Sequence, residues 1–572
     1  MDKKVRQIDF SRKRLANLAD KYYNEGKFLA ALRPAYKELE IYGGDGDVYA
    51  RLSDIYEGMG LHGSALNWWF RFLDVADEQD LPDVYEGLAV NFLNMGNESA
   101  SAYYYNRLID ADDSLPDETK LDIVEAFSSK KQSKLRFIYP PERVDYSKEI
   151  GIGSKALKAG DCQRAIAEFS KVEKGAKEYA QAKEMQAVAY LLAGKADEAE
   201  KTCKELLEVS PNEVRVQATL AAVYLEQGKH AESKAMALEL SDKEVSDPDD
   251  LYKVATVCCE NGLDQQAYEK FCVLEKKLPF DGRMLYFKGV AAYKSGILDE
   301  AEKAFDELCT VYPDAEVAKY YLKRIRAYKN GEEKKPELTY FYHVPQEERD
   351  ARCHALIQLS KAPKDEAEIF GLLALHDGSL RWCFDEMDGG DHDLQYLALV
   401  TAAHVRADDF LQDVLLDFEV ADVLKIEILR MLFERNEDMD VGLVLCCIYR
   451  RVPLHSIKVG RKRKKRFVES YAKVASKFVI IRDEYSEKLK KAAEELYAAL
   501  AKNESLDLVD STDDCACAIF LLSGLKDLGN NIDSIAGAFD ANPDRVKVLL
   551  SQAMSARFGV EQHSEEKKNE ID

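Results

Sequence analysis

The apolar positions of this chain fall in repeating columns. Gly160, Gly194, Gly228, Gly262 and Gly296 follow one another at an interval of 34 residues, and their surroundings repeat in register. Gly153, Ala187, Ala221, Ala255 and Gly289 stand seven residues before each glycine; Ala165, Ala199, Ser233, Ala267 and Ala301 stand five after it. Residues without bulk let two antiparallel helices approach to roughly 8 Å. Val172, Leu206, Leu240, Leu274 and Leu308 then form an apolar column on the second helix, and Pro211, Pro279 and Pro313 end it, because proline cannot continue a helix. Each unit is predicted to be a helical hairpin turned by its glycine, and a period this regular predicts a stack of them.

Three more hairpins are expected over residues 11–111, with turn glycines Gly26, Gly60 and Gly96, making an N-terminal block of residues 1–115. Register breaks over 116–145, where a helix opened by Pro116 leads into the extended stretch Leu135 to Pro141. The second block, residues 146–330, holds five hairpins and a final capping helix from Ala315 to Asn330, with Lys319, Lys323, Arg324, Arg326 and Lys329 on its wet side. Gly331 to Pro345 (GEEKKPELTYFYHVP) is charged, then aromatic, with two prolines, and reads as a domain boundary. Residues 346–454 keep helical spacing off the 34-residue period, as in Leu394 to Val405, Ala421 to Arg435 and Val441 to Arg450. A small helical domain is expected over 461–560 and a charged, disordered tail over 561–572.

The columns of small residue, aromatic, glycine turn, small residue, aromatic and closing proline resemble the tetratricopeptide repeat (TPR) family, with Tyr190, Tyr224, Phe169, Phe271 and Phe305 in its aromatic places. Cys203 and Ala237 depart from the pattern by replacing an aromatic. The resemblance implies an all-α fold: a helical-hairpin solenoid, then an irregular helical region and the small C-terminal domain. It also implies a groove lined by the first helix of each hairpin, at Ile150, Leu157, Val188, Leu191, Leu225, Tyr252, Tyr286, Val290 and Tyr293, with Arg215 and Arg283 on the same surface. An apolar groove edged with tyrosines suits a peptide or helix of a partner protein. The carboxylate-clamp form of the fold needs lysine and asparagine in the first hairpin, where this chain has Ala16 and Asp20, which argues against chaperone-tail binding.

The segment IDSIAGAFDANPDRVKVLL resembles a helix-turn-helix. Ile535 and Ala536 suit the first helix, Val546 and Leu549 the second, and Asn542 and Pro543 its start, with Asp540 where that family has a left-handed glycine. Residues 467–557 also resemble, weakly, the cyclin-like repeat of general transcription factors. Together with the run Arg461, Lys462, Arg463, Lys464, Lys465, Arg466, these resemblances raise a second reading, a nucleic-acid-linked regulator. Arg545, Lys547, Ser551 and Gln552 would be its groove-reaching side chains. The competing reading is that the basic run binds an acidic face of its own chain.

Charge narrows the classes. A formal net charge of −24 argues against a chain that coats nucleic acid or anionic membrane over its whole surface. Of the twelve cysteines, Cys203, Cys258, Cys259, Cys272 and Cys309 fall at helix-core or near-core positions of a long chain, which predicts reduced thiols and a cytoplasmic protein. No apolar run of membrane-spanning length occurs, and Met1 to Tyr23 has no secretory core. His376-Asp377 and His392-Asp393 are expected near helix ends beside Gly378, Gly389 and Gly390, without the further ligands of a metal phosphohydrolase. Cys515 and Cys517 face different directions on one helix. No catalytic constellation, metal, cofactor or small-molecule substrate is predicted, and the expected function is a non-enzymatic scaffold for a protein partner.

Overall fold

The computed structural model describes residues 11–127, 146–362, 365–385, 391–529 and 531–553. They belong to two compact units, one formed from 129–346 with 385–389, the other from 1–128, 347–384 and 390–572. The expected connector at 135–141 and the tail from 561 lie outside the described residues.

The first unit is a run of helical hairpins. Ser147–Lys158 pairs with Cys162–Phe169, Tyr179–Leu192 with Ala196–Val209, Val214–Glu226 with His230–Ser241, Pro248–Glu260 with Asp264–Glu275, and Gly282–Lys294 with Leu298–Val311. The five turn glycines have φ between +66° at Gly262 and +81° at Gly296, the left-handed region that penalises a side chain. The small columns sit where the helices cross. A Cβ on Gly153 would lie 2.5 Å from the ring of Phe169, and one on Gly289 would lie 2.8 Å from that of Phe305. The helix Glu316–Lys329 closes the stack by burying Val317, Ala318, Tyr321, Leu322 and Ile325. Its Arg326 and Lys329 pair with Asp299, Glu302 and Asp306 of the hairpin beneath.

The second unit begins with three hairpins of the same kind: Arg12–Asn24 with Phe28–Tyr42, Gly46–Gly58 with His62–Val75, and Leu81–Asn94 with Glu98–Ala111. Helices Gln346–Leu359, Glu366–Trp382, His392–Val405, Asp408–Leu416 and Asp422–Glu434 follow in the later part of the chain. The helix expected over Val441 to Arg450 is instead an antiparallel hairpin, β1 (Met439–Leu445) and β2 (Ile448–Leu454). Its two-residue turn, Cys446 and Cys447, holds φ of +49° and +64°. Burial of Val441, Leu443, Val444, Val452 and Leu454 makes its face part of the core, and the fully buried Lys425 donates to the Val444 carbonyl at 2.7 Å. A second correction concerns His376-Asp377, which lies inside the helix Glu366–Trp382 rather than near an end, whereas His392 does open its helix.

β1 and β2 pack on the N-terminal hairpins. The buried Tyr104 hydroxyl donates to the Cys447 carbonyl at 3.0 Å and accepts from the Tyr449 N–H at 3.1 Å. Tyr449 in turn donates to Asp74 at 2.8 Å, and Arg71 pairs with Asp413 at 3.1 Å. The C-terminal part of this unit is helical over Lys464–Phe478, Glu484–Lys502, Thr512–Ser523, Ile532–Ala538 and 543–553. Phe478, Phe520 and Phe539 form its aromatic centre, with ring centroids 4.7 to 6.2 Å apart.

Candidate functional site

The site grows from two neighbouring first helices of the repeat unit. Pro248–Glu260 brings Tyr252, Thr256, Cys259 and Glu260 to one wall, and Gly282–Lys294 brings Arg283, Tyr286, Phe287 and Lys294 to the next. With Leu225 they enclose a cavity of about 810 Å³. The remaining wall, Thr339 to Tyr342, belongs to the stretch read from sequence as a domain boundary.

That stretch is a non-helical segment laid against the helices. Residues 334–339 have no regular structure and 340–343 are bent. Leu338 and Val344 are buried along it, Pro336, Thr339, Tyr340 and Tyr342 half-buried, and Glu337, Phe341 and His343 exposed. Its backbone is held by tyrosine hydroxyls. Tyr286 shares its single O–H between the carbonyls of Thr339 at 3.0 Å and Phe341 at 2.9 Å, while Tyr293 donates to Pro336 at 2.8 Å and Tyr321 to His343 at 2.9 Å. Burial pushes the Tyr293 and Tyr321 phenols up to about 12 and raises that of Tyr286, so these groups stay protonated donors at neutral pH.

The segment's own side chains add the other half. Tyr340 donates to Asp264 at 2.7 Å and lies under the Lys294 ammonium, 4.5 Å from the ring centroid. Tyr342 stands edge-on to Tyr286 with centroids 4.9 Å apart, and donates to the two oxygens of Asp385 at 3.0 and 3.2 Å. Asp385 also accepts the Val317 N–H at 2.7 Å, at the start of the closing helix. Burial drives its carboxyl up to about 8, outweighing the Val317 and Tyr342 hydrogen bonds that favour the charged form. Burial likewise raises the Glu260 carboxyl.

Four of the residues expected in the groove meet at this cavity: Leu225, Tyr252, Arg283 and Tyr286. The others are spread along the stack. Ile150 is buried in the core of the first hairpin, with Leu157 packed against it, and Val188 and Leu191 are half-buried. Arg215 is held by Asp250, by Asp247 at 3.0 Å and by Asp249 at 3.6 Å; the Asp250 hydrogen bond is the largest cause of its raised pKa. Val290 is fully buried in the helix crossing, and Tyr286 and Tyr293 are buried beneath the segment, so none of these three offers a free side chain to a partner. Sequence reasoning missed Leu338, Tyr340, Tyr342, Val344 and Asp385. The alternation 336, 338, 340, 342, 344 was the available signal, hidden by the flanking prolines and charges.

The expected nucleic-acid residues meet acidic groups of their own unit. Lys462 pairs with Asp507 at 3.2 Å, Arg463 approaches Asp507 and Asp510, and Arg466 donates to the carbonyls of Val509 and Asp510. Lys465 pairs with Glu469, while Arg461 and Lys464 are exposed. Arg545 pairs with Asp510 and Asp514, both at 3.1 Å, and Lys547 with Asp544 at 3.2 Å. Ser551 donates to the Val548 carbonyl, and Gln552 accepts from Asn503. Between the two last helices Asp540 takes φ of +57°, and Asn542 accepts the N–H groups of Asp544 and Arg545. No helix among the described residues is long and apolar enough to cross a membrane.

Three comparisons place these observations. No curated protein matches the chain. Among solved structures it is similar to a tetratricopeptide repeat protein from Parabacteroides merdae at 12% identity, over 55% of this chain and 98% of that one, with a TM-score of 0.27. It is similar to YrrB, described as a TPR protein with an unusual peptide-binding site, at 16% identity over 31% of this chain and 92% of that one, TM-score 0.24. The TPR2AB domain of yeast Sti1, solved in complex with pHSP90, matches at 16% identity over 45% of this chain and 98% of that domain, TM-score 0.20. Two family models described as Tetratricopeptide repeat match directly, one over residues 190–253 and one over 150–214 and 263–316. Since those matches fall on the glycine-turned hairpins described above, residues 150–253 and 263–316 of the chain are tetratricopeptide repeats.

Proposed function

We propose that this chain is a non-enzymatic scaffold that holds a segment of a partner protein in the groove of residues 146–330. The observation that carries the reading is the groove itself: a cavity of about 810 Å³ walled by Leu225, Tyr252, Thr256, Arg283 and Phe287, beside a stretch of polypeptide already seated on the same helices. A cavity of a few hundred Å³ with aromatic walls and a few polar groups is the usual form of a recognition site. Aromatic and arginine side chains such as Tyr252, Phe287 and Arg283 are the types that carry most binding energy at interfaces. TPR groove binding is the family expectation that this geometry supports.

The test is selection from a displayed random-peptide library on the immobilised full-length chain. Ligands retained by the unmodified chain should be lost by Tyr252→Asp and by Arg283→Glu. They should be kept by Val273→Asp, an exposed position on the second helix of its hairpin. Recovery of no ligand, or of ligands indifferent to the two groove substitutions, refutes the proposal.

A further inference from the structure

We propose that this groove is a receptor for non-helical peptides bearing large apolar or tyrosyl side chains at alternate positions, and that the chain keeps part of it filled with its own residues 336–344. The inference rests on the scaffold reading and narrows it, from any peptide or helix to one backbone form and one side-chain pattern.

The donors define the backbone form. Tyr286, Tyr293 and Tyr321 point hydroxyls at four main-chain carbonyls, those of Pro336, Thr339, Phe341 and His343. A helix spends its interior carbonyls on its own N–H groups and has none to offer such donors. An extended or bent peptide does, so main-chain hydrogen bonds hold it while pockets read alternate side chains. Burial of Leu338 and Val344, with the half-buried Tyr340 and Tyr342 between them, supplies the pattern. Phe341 also lines the cavity but stays 72% exposed, so burial does not select its side chain.

The seated segment is part of the same chain, so it competes at the effective concentration of a tethered ligand, in the millimolar range for a short flexible connection. A free peptide of the same kind then binds weakly to the unmodified chain, and more tightly once the tether's hold is loosened. Two features fasten the segment from outside the groove donors: the Tyr342 hydrogen bonds to Asp385, and the Leu338 side chain.

The probe is a fluorescein-labelled peptide of residues 335–345 (KPELTYFYHVP), followed by anisotropy with full-length protein. The Leu338→Asp/Tyr342→Phe variant should bind it at least tenfold more tightly than the unmodified chain. Adding Tyr286→Phe/Tyr293→Phe should remove that gain, and a peptide of shuffled order should not bind. Should Leu338→Asp lose helical circular dichroism, Tyr342→Phe alone, which deletes one hydroxyl, replaces it with an expected gain of about threefold. Equal affinity for loosened and unmodified chains overturns the proposal, as does absence of binding to a loosened chain that keeps its circular dichroism. Displayed-library ligands that bind the groove as helices, or that are indifferent to the loosening substitutions, leave the scaffold standing and overturn this inference alone. Failure of both the library and the peptide overturns both.

Discussion

Replacing Gly289 by alanine tests how tightly the repeat stack is closed. A Cβ there would lie 2.8 and 2.9 Å from two ring carbons of Phe305 and 3.5 Å from the Ala304 methyl. Carbon atoms settle at about 3.5 to 4 Å, so the ring has to retreat by roughly 0.7 Å, and Phe305 has no exposed surface to retreat into. Overpacking of this kind costs about 1–3 kcal/mol. Alanine in a helix interior recovers about 0.5–1 kcal/mol of it through the unfolded chain and helix propensity. The net expectation is a destabilisation of about 0–2.5 kcal/mol, centred near 1 kcal/mol. Gly151 is the control: it lies on the exposed face of its helix and nothing stands within 4 Å of an added Cβ, so Gly151→Ala should stabilise by about 0.5–1 kcal/mol. Urea unfolding of the full chain by far-ultraviolet circular dichroism reads both, comparing midpoints of the same transition because two units need not melt together. Two variants shifting in the same direction would refute the packing argument.

Asp385 binds its proton more tightly folded, at about 8, than unfolded near 3.8. Stability of the repeat unit should therefore fall as pH rises from about 4 to about 8 and level off above, by at most about 1.4 kcal/mol per pH unit. Asp385→Asn should flatten that slope in melts at pH 5 to 8, and an unchanged slope counts against the assignment. The buried Lys288 ammonium contacts Glu275 at 2.6 Å, so Glu275→Ala should cost about 3 kcal/mol. The double variant with Lys288→Met should recover most of the loss, and a melt showing no recovery would contradict the pairing. Tyr104→Phe leaves the Cys447 carbonyl and Tyr449 N–H without their shared hydroxyl, a loss of about 1–3 kcal/mol. It should appear as faster amide exchange along β1 and β2, and unaltered exchange would count against the contact. With Lys462, Arg463, Arg545 and Lys547 paired to carboxylates, full-length protein should not bind labelled duplex at low salt. Binding whose log affinity falls linearly with log salt would reverse that expectation.

The 34-residue period made the hairpin stack legible because each turn needs a left-handed glycine and each crossing needs a small residue, and both requirements print single residue types at fixed intervals. The strand pair was not legible for the opposite reason. A two-residue turn with both φ positive is normally announced by Asn-Gly; here Cys446 and Cys447 carry it silently, and the short apolar runs on either side suit a helix equally well. At the groove, Leu225, Tyr252, Arg283 and Tyr286 could be named from their places on first helices, but their neighbours at 338–344 could not. Two prolines and a charged run are the signs of a boundary, and a segment whose backbone is satisfied by side-chain hydroxyls has no ladder partner to betray it in sequence.

The crossing at Gly289 and the seat of the segment are one packing problem. Phe305 fills the space that the missing Cβ leaves and stands edge-on to Tyr286, with centroids 5.6 Å apart. Tyr286 holds the Thr339 and Phe341 carbonyls and stands edge-on to Tyr342, which is fastened by Asp385 to the start of the closing helix. Rings packed this closely have few alternative positions, so moving Phe305 moves the donor that positions the peptide backbone. Gly289→Ala should therefore raise amide exchange in residues 336–344, whereas Gly151→Ala, at an exposed site in the first hairpin, should leave it unchanged. In a stack whose units touch only their neighbours, a helix crossing two hairpins from the cavity would be too remote to have this effect. Gly289 thus sets both the spacing of the groove's helices and the position of its hydroxyls.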